Sequence, residues 1–486
     1  MCRYRLIIKN AVIAIAMLFS SHAVLADTAK HFYTVTVDNA LSRLWVEARF
    51  EHPVRTVTAR SRNAGRYLLD ARRCDDDAVI RLRNRRMVLP EDGIRCLNYT
   101  VDFEDAAGQY RNNRNLAANN RVVSPSYWMW RPDLSDGTRI YVEFRLPAGM
   151  RVSLPWQQLD ASGIRYLLSR SPESASAPAV FGHFDYREIE VPGSSLRVSL
   201  LDGRAPMDKD AVADWVRATA TDVSLAYGRF PNPSPQVVVV PVTSSRSSSP
   251  VPFGRVIRDG GETVELFVRP DQPLENFLED WTATHEFSHL MHPYLKSEHH
   301  WITEGFAQYY QNVLLARSGA YDTEDAWQKL YAGYERGRSS RPELSPNEAA
   351  AGNKRGGRMK VYWSGAALAL IADVTLRERS GGKETLDTVL EQFQACCLPS
   401  DRMWTGPEFF AKLDTLTSAP VFTPLYRRYA DTAGFPDTDE VFARLGIRTS
   451  GDRVYLRRGA ELAAIREAIT RTVAPVAEWR GQLAAD

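Results

Sequence analysis

The chain has little net charge, few histidines and no internal repeat. Its 486 residues carry a formal net charge of +2, which gives no reason to expect nucleic acid or anionic lipid as a partner. After residue 26, no segment is apolar and long enough to predict a membrane span. Apolar residues make up 44% and charged residues 25%, ordinary values for a folded globular protein, and the length allows about three domains.

Cysteine is also scarce, with five residues in the whole chain. Cys74 and Cys96 form the one pair in the amino-terminal region, and an oxidising compartment would allow a disulfide between them. Cys396 and Cys397 are adjacent, and neighbouring cysteines rarely reach good disulfide geometry with each other. We therefore expect these two residues to be buried thiols.

The first 26 residues have the pattern of a secretory signal peptide. A basic start precedes an apolar run from Ala11 to Phe19, which is too short to span a bilayer comfortably. Small residues lead up to the expected cleavage after Ala26. The sequence therefore predicts an exported protein, periplasmic or secreted, with an uncleaved membrane anchor as the alternative.

The amino-terminal third of the chain has the apolar pattern of β-strands. Apolar side chains recur at every second position in residues 44–50 and again in residues 140–146. Turn signals rich in glycine and proline separate the runs. The simplest fold is an antiparallel β-sandwich-like domain over residues 27–203.

After this domain the apolar pattern changes from strand-like to mixed. The β-branched run 237–240 predicts a buried strand, and residues 262–268 alternate like an exposed edge strand. A helix is predicted from residue 274 up to Pro293, which would end it, and a second helix over residues 302–317. The sequence after residue 317 predicts mostly helices.

The most informative segment is a His-Glu-x-x-His motif formed by His285, Glu286 and His289. Residues four apart lie one turn apart on a helix, so both histidines can share one Zn²⁺ ion. Glu286 lies beside the first histidine, where a general base for an attacking water would stand. Glu304 opens the next helix and would complete a two-histidine, one-carboxylate site with an open position for catalysis.

The motif is specific because histidine is rare, with nine in the chain. Chance would produce His-Glu-x-x-His in about one in a hundred such chains. The alternative interpretation is a surface helix with two solvated histidines. Three further histidines follow the motif, His292, His299 and His300, and we interpret them as loop residues, with substrate contact as the alternative.

The zinc segments resemble those of the gluzincin metallopeptidases, and the layout is most similar to the glycyl aminopeptidase family, with aminopeptidase-N-like enzymes more distant. The second zinc helix of those families begins Trp-x-x-Glu-Gly-Phe, which residues 301–306 match. They also carry a Tyr-x-x-Gly-Ala segment, matched by residues 362–366, and then an Asp, an Arg and a Thr-Leu-Asp turn, matched by Asp373, Arg377 and residues 385–387.

The resemblance implies an α+β multidomain fold. A thermolysin-like zinc peptidase subdomain over residues 204–320 would follow the β-rich domain, and a helical carboxyl-terminal subdomain over residues 321–486 would complete the chain. The site residues that the resemblance implies are His285, His289 and Glu304 as ligands of one Zn²⁺ per chain, Glu286 as the base, and Tyr362 as a donor to the transition state.

The chain departs from the family pattern in two places. The Gly-x-Met-Glu-Asn type motif, whose Glu binds a substrate amino terminus, is absent, and Glu262 and Glu265 are the candidate substitutes. In addition, 14 residues separate His289 from Glu304, fewer than in the aminopeptidases, so the turn between Pro293 and His300 must be compact.

We therefore expect an exported zinc-dependent peptidase that hydrolyses peptide bonds through a metal-activated water, with aminopeptidase-like action on peptide or protein substrates. An endopeptidase is the first alternative. The second is a catalytically silent peptide-binding module on a peptidase scaffold. Such a module would be expected to have lost a ligand, the base or the tyrosine, whereas all of them are present. The oligomeric state stays open.

Overall fold

The computed structural model of the chain describes residues 29–83, 85–132, 137–169, 177–243, 247–352 and 356–485. The predicted signal peptide, residues 1–26, lies outside the described residues. The strands in chain order are β1 (Lys30–Val37), β2 (Arg43–Val54), β3 (Thr58–Ala59), β4 (Leu68–Arg73), β5 (Leu82–Arg83), β6 (Arg86–Met87), β7 (Ile94–Asp102), β8 (Asn120–Val123), β9 (Trp130–Arg131), β10 (Arg139–Arg145), β11 (Arg151–Ser153), β12 (Gln157–Gln158), β13 (Arg165–Leu168), β14 (Ala179–Gly182), β15 (Asp185–Val191), β16 (Ser194–Leu200), β17 (Gln236–Pro241), β18 (Phe253–Arg258), β19 (Glu262–Val268), β20 (Ile447–Ser450) and β21 (Arg453–Leu456).

The α-helices lie mostly in the second half of the chain. In chain order they are α1 (Phe103–Ala107), α2 (Lys209–Ser224), α3 (Leu274–Glu279), α4 (Thr282–Ser288), α5 (His300–Arg317), α6 (Thr323–Ser339), α7 (Pro346–Ala351), α8 (Arg358–Ser380), α9 (Leu386–Cys397), α10 (Gly406–Asp414), α11 (Phe422–Tyr429), α12 (Asp439–Leu445), α13 (Ala463–Ile469) and α14 (Ala474–Ala485). The chain is thus a mixed α/β protein with several sheets.

Seven strands form the largest sheet, in the order β12-β13-β10-β1-β2-β7-β4. Because successive side chains of a strand point to opposite faces, the alternating apolar residues of β2 are all buried. Neighbouring strands are antiparallel except β1 and β10, which run parallel. The prediction of a wholly antiparallel domain is wrong at this pair. A long connection, and not a hairpin, brings β10 to β1, so hairpin geometry does not impose an antiparallel direction.

Two smaller sheets share the hydrophobic core of the largest sheet. Their strand orders are β11-β14-β8 and β5-β6-β3-β9. Val46 of β2, Phe181 of β14 and Trp130 of β9 belong to one buried cluster. The three sheets therefore share one hydrophobic core, while the sandwich-like arrangement stays a prediction.

The four cysteines among the described residues form two disulfides. Cys74 and Cys96 are joined, with a Cα–Cα distance of 5.3 Å, as the sequence predicts for an oxidised chain. Cys396 and Cys397, predicted to be buried thiols, are joined to each other at the end of α9. This prediction is wrong because the helix end brings the two sulfurs within bonding distance, and neither residue is fully buried.

A mixed five-stranded sheet lies next along the chain, in the order β15-β16-β17-β19-β18. The run 237–240 in β17 is buried, as predicted. β19 was expected to be an exposed edge strand, but it is buried along its whole length between β17 and β18. Its glutamates are tolerated there because arginines of β18, the actual edge strand, pair with both of them. The predicted boundary at residues 203/204 stays a prediction, and β16 before it pairs with β17 after it.

The segment predicted as one helix before Pro293 is two helices. α3 ends at Glu279, Asp280 and Trp281 are not helical, and α4 begins at Thr282. The Asp280 carboxylate accepts a hydrogen bond from the Thr282 backbone N–H at 2.7 Å and another from the Ser249 hydroxyl at 2.6 Å. A side chain that satisfies the first turn of the second helix therefore explains the break.

The carboxyl-terminal part is mainly helical, as predicted, with one hairpin, β20–β21. α5 and α8 pack closely against each other in its core. Among the described residues, α8 is the one helix that is long and apolar enough to cross a membrane, although sequence analysis expected none. Of its most apolar window, 83% is buried inside the protein, as in a core helix.

Candidate active site

α4 places the first two candidate ligands one above the other. His285 lies in the last turn of α4, and His289 begins the 3₁₀ turn His289–Met291 that follows directly. Their ring centroids are 4.9 Å apart. Burial, and then the neighbouring His285, lower the pKa of His289 well below its ordinary value, so this imidazole is neutral near pH 7. A neutral imidazole is the form that binds a metal.

Glu304 reaches the same point from the second turn of α5. Its Oε2 atom lies 3.4 Å from Nε2 of His285 and 3.7 Å from Nε2 of His289. One candidate ligand atom from each of the three residues lies within 4.8 Å of the others. Two imidazoles and one carboxylate are a donor set typical of catalytic zinc. The residues present therefore fit a zinc ion.

The connection between the two helices is compact, as the short spacing requires. A second 3₁₀ turn, Ser297–His299, leads into α5. The backbone N–H of Lys296 donates to the Trp404 carbonyl at 2.9 Å, and the Trp404 N–H donates to the Tyr294 carbonyl at 2.8 Å. This two-bond bridge to the carboxyl-terminal part holds the connection against the body of the protein.

Glu286 lies against the edge strand β18. It is 8% exposed, and a Cβ atom added at Gly254 of β18 would come within 2.5 Å of its Cγ atom. Only a glycine therefore leaves room for the Glu286 side chain at this point of the strand. The close approach places the candidate base between the histidine helix and the sheet edge.

Tyr362 is brought to the site by a close approach of α5 and α8. Its ring centroid lies 5.9 Å from that of His285. Gly305, next to Glu304, faces Gly365, which follows Tyr362 by three residues, and a Cβ atom added at Gly365 would lie 2.8 Å from the Gly305 Cα atom. The glycines of the two sequence motifs therefore touch each other, which sets the position of Tyr362 relative to Glu304.

These side chains line one cavity of about 1020 Å³. All five predicted site residues are on its wall. Two aromatic residues on the wall, Phe253 and Trp281, are 55% and 44% exposed. The cavity thus combines a polar centre with apolar surface, the usual composition of a site for an organic ligand.

Glu262 and Glu265 do not line this cavity. The Glu262 carboxylate accepts from Nε of Arg258 at 2.8 Å and from Asn232 at 2.5 Å. The Glu265 carboxylate is paired with Arg255 and accepts from the Tyr110 hydroxyl at 2.7 Å. Both candidates for binding a substrate amino terminus are therefore held in ion pairs away from the site.

Arg258 has a role that sequence analysis missed. It is 6% exposed, and its Nη2 group donates to the backbone carbonyls of His289 at 2.7 Å and of His292 at 3.1 Å. The guanidinium therefore ties the end of the histidine helix to the sheet. No motif marks this arginine, since its partners are main-chain oxygens that any sequence supplies.

The three further histidines surround the site without joining the ligand group. His292 follows the 3₁₀ turn, is 1% exposed, and its ring lies 5.3 Å from that of His289. Burial, followed by the nearby charge of Arg258, lowers the pKa of His292 to about 3. His299 lies in the connecting turn and His300 begins α5, where it lines the cavity.

The remaining family-like residues form a buried network behind the site. Asp373 accepts hydrogen bonds from Tyr309 at 2.8 Å, from Nε of Arg377 at 3.0 Å and from the backbone N–H of Leu386 at 2.8 Å. Asp387 accepts from Tyr310 and pairs with Arg317. These groups join α5, α8 and α9, and none of them lines the cavity.

Comparisons with known proteins show which family and folds this chain is similar to. Residues 292–351 match the M61 glycyl aminopeptidase family. The chain resembles the gluzincin peptidases. The resemblance stated from the motifs is thereby confirmed. No curated protein matches the sequence.

Two solved structures resemble parts of this chain. An aminopeptidase N family protein from Idiomarina loihiensis is 14% identical, with a TM-score of 0.59 over 86% of this chain and 78% of the other. An M1 zinc metallopeptidase from Deinococcus radiodurans is also 14% identical, with a TM-score of 0.49 over 85% of this chain and 94% of the other. The first likeness shows a fold of the aminopeptidase N type. The family match, in turn, supports a peptide hydrolase of the metallopeptidase class.

Proposed function

We propose that the protein is a zinc-dependent peptidase that hydrolyses peptide bonds. One zinc ion per chain would be held by His285, His289 and Glu304. The observation that carries the proposal is that their ligand atoms meet within 4.8 Å on the wall of a cavity that also presents Glu286 and Tyr362.

The residues divide the chemistry of the reaction among them. Zinc bound here would act as a Lewis acid and lower the pKa of a bound water toward about 7. Glu286 accepts the proton of the attacking water and passes it to the leaving amine. The Tyr362 hydroxyl donates a hydrogen bond to the substrate carbonyl oxygen as it gains negative charge. The cavity wall holds the peptide across these groups.

A Glu286→Gln variant tests this assignment, because it keeps the shape of the side chain but removes the base. We expect zinc stoichiometry to stay at one per chain while peptide hydrolysis falls by roughly 10²–10⁴-fold. Glu279→Gln is the matched control, since Glu279 is exposed at the end of α3 and outside the cavity wall. Metal analysis and a broad peptide digest read by mass spectrometry provide the two measurements.

The same experiment distinguishes a peptidase from a catalytically silent peptide-binding module. A wild-type protein that binds one zinc ion yet cleaves nothing in the library would be a peptide-binding module. A Glu286→Gln variant with full activity would remove the general-base role.

Aminopeptidase-like action is the form suggested by the family match. The second candidate is an endopeptidase, which is favoured by the ion pairs that hold Glu262 and Glu265 away from the cavity. Comparing free with amino-blocked versions of one peptide separates the two. Equal rates of cleavage of both versions would exclude an aminopeptidase. Loss of cleavage when the amino terminus is blocked would exclude an endopeptidase.

Export is part of the proposal. The signal-peptide pattern of residues 1–26 supports a periplasmic or secreted location, and the Cys74–Cys96 disulfide fits an oxidising compartment. Sequencing the amino terminus of the mature protein after cell fractionation is the test. We expect it to begin at Asp27, and an intact terminus in the cytosolic fraction would contradict export.

A further inference from the structure

Among the described residues, the cavity wall carries four cationic side chains and three carboxylates, and these groups are not all paired with one another. The cations are Arg255, Arg258, Lys296 and Arg358, and the carboxylates are Glu286, Glu298 and Glu304.

Two of the four cations have an ion-pair partner in the protein. Arg255 is paired with Glu265 and Arg258 with Glu262, both of which lie behind the wall. These two charges are therefore already countered without a substrate. Lys296 lies at the rim, two residues from Glu298 and away from Tyr362 in the chain.

Arg358 has no ion-pair partner among the described residues. It is exposed at the first residue of α8, one helical turn before Tyr362, and its guanidinium carbon lies 5.5 Å from the centre of the Tyr362 ring. The Tyr362 ring in turn lies 5.9 Å from the His285 ring. An uncountered guanidinium therefore stands beside the group proposed to donate to the scissile carbonyl.

The carboxylates on the wall do not favour a cationic ligand. Glu304 belongs to the ligand group, Glu286 is the proposed base, and Glu298 at the rim lies 3.8 Å from Nδ1 of His299. Among the described wall residues, no carboxylate is left to bind a substrate amino group, whereas Arg358 can bind a substrate carboxylate.

On the basis of the proposed peptidase function, we propose that Arg358 is a specificity-determining residue that binds a carboxylate of the substrate next to the cut bond. The planar guanidinium offers two parallel N–H donors, which match the two oxygens of a carboxylate. A peptide can supply this carboxylate from an acidic side chain or from its free carboxyl terminus. The preferred substrates are therefore peptides with a negative charge adjacent to the scissile bond.

The test uses peptide pairs that differ in one charge. A cleaved peptide is prepared with Glu or Gln at each position beside the cut, and with a free or an amidated carboxyl terminus. We expect the wild type to prefer the charged version by about tenfold or more in kcat/KM, carried mainly by KM. The position at which the preference appears tells an acidic side chain from a terminal carboxylate.

Arg358→Met is the decisive variant. We expect it to bring the ratio of kcat/KM values for charged and neutral substrates close to one, mainly through a higher KM for the charged peptide. Arg358→Lys should restore part of the preference, because it restores charge without the planar donor pair. Arg217→Met is the matched control, since Arg217 lies on α2 outside the cavity wall.

The outcomes separate this inference from the proposed function. Equal rates on all charged and neutral pairs, or a preference that survives in Arg358→Met, would overturn the role of Arg358 while leaving the peptidase intact. A preference for a free amino terminus that disappears in Glu298→Gln would also overturn it.

If the zinc-loaded protein cleaves nothing, the peptidase proposal fails, and binding still tests Arg358. Fluorescein-labelled Glu and Gln peptides would be titrated with wild type and Arg358→Met, and anisotropy measured. Tighter binding of the Glu peptide by wild type alone would support the inference, and equal binding by both proteins would refute it.

Discussion

Replacing Arg258 with methionine tests whether a buried guanidinium holds the second histidine of the site in place. The side chain is 7% exposed and pairs with the 5% exposed carboxylate of Glu262. It also donates to the main-chain carbonyls of His289 and His292 at 2.7 and 3.1 Å. Methionine fills a similar volume but has no donor, so one buried carboxylate loses its cation and two carbonyls lose a hydrogen bond.

We expect this change to affect both the free energy of unfolding and the affinity for zinc. Removing one partner of a buried ion pair costs about 3–5 kcal/mol, and we expect the free energy of unfolding to fall by that amount. Loss of a group that orients a metal ligand lowers metal affinity by about 10–100-fold, and we expect the same for zinc. Urea unfolding in the presence of a chelator measures the first effect, and competition with a chromophoric zinc chelator measures the second.

Arg255→Met separates the two effects. Arg255 lies on the same strand and is also paired with a glutamate, Glu265, but its ring contacts are with Tyr110 and Phe267 and not with the histidine helix. Its side chain is 41% exposed, so we expect a smaller loss of stability and unchanged zinc affinity. Adding Glu262→Gln to Arg258→Met should recover stability but not zinc affinity. Wild-type zinc affinity in Arg258→Met would refute the argument.

Two further predictions concern packing and a buried ion pair. Gly305→Ala should lower the free energy of unfolding by about 1–3 kcal/mol or more and weaken zinc binding, because the new methyl group meets the Gly365 backbone; thermal unfolding and zinc titration measure this. Gly481→Ala is its control on α14, where a Cβ atom meets nothing within 4 Å, and should stabilise by about 0.5–1 kcal/mol. Burial raises the pKa of Asp222 to about 7, so this carboxyl is fully ionised, and its ion pair with Arg480 complete, only above that pH. Arg480→Met should therefore lower the free energy of unfolding by about 3–5 kcal/mol near pH 9, where Asp222 loses its cation, and the loss should be smaller near pH 6; an equal loss at both pH values would contradict this.

Local patterns predicted the elements whose causes are local. The spacing of His285 and His289 depends only on the rise of one helical turn, and the alternation in β2 depends only on the pleat of a strand. Both were predicted because no distant residue is needed to produce them.

The features that could not be predicted depend on partners far away in the chain. Residues 262–268 alternate like an edge strand, and only the arrival of β18 with its arginines makes a central position tolerable for Glu262 and Glu265. The break before α4 is similar, since Ser249 supplies one of the hydrogen bonds that hold Asp280. A single sequence shows the charge of these residues but not the group that neutralises it.

The site itself lies between these two cases. The donor set of the metal centre is readable because three residue types at fixed spacing suffice for it. The position of Tyr362 relative to that centre is not, because it depends on how closely α5 approaches α8. That approach is set by Gly305 and Gly365, where two backbones meet without intervening side chains. Each of these two motifs needs its glycine because the other motif's backbone lies against it. The 5.9 Å distance between the Tyr362 and His285 rings follows from this contact.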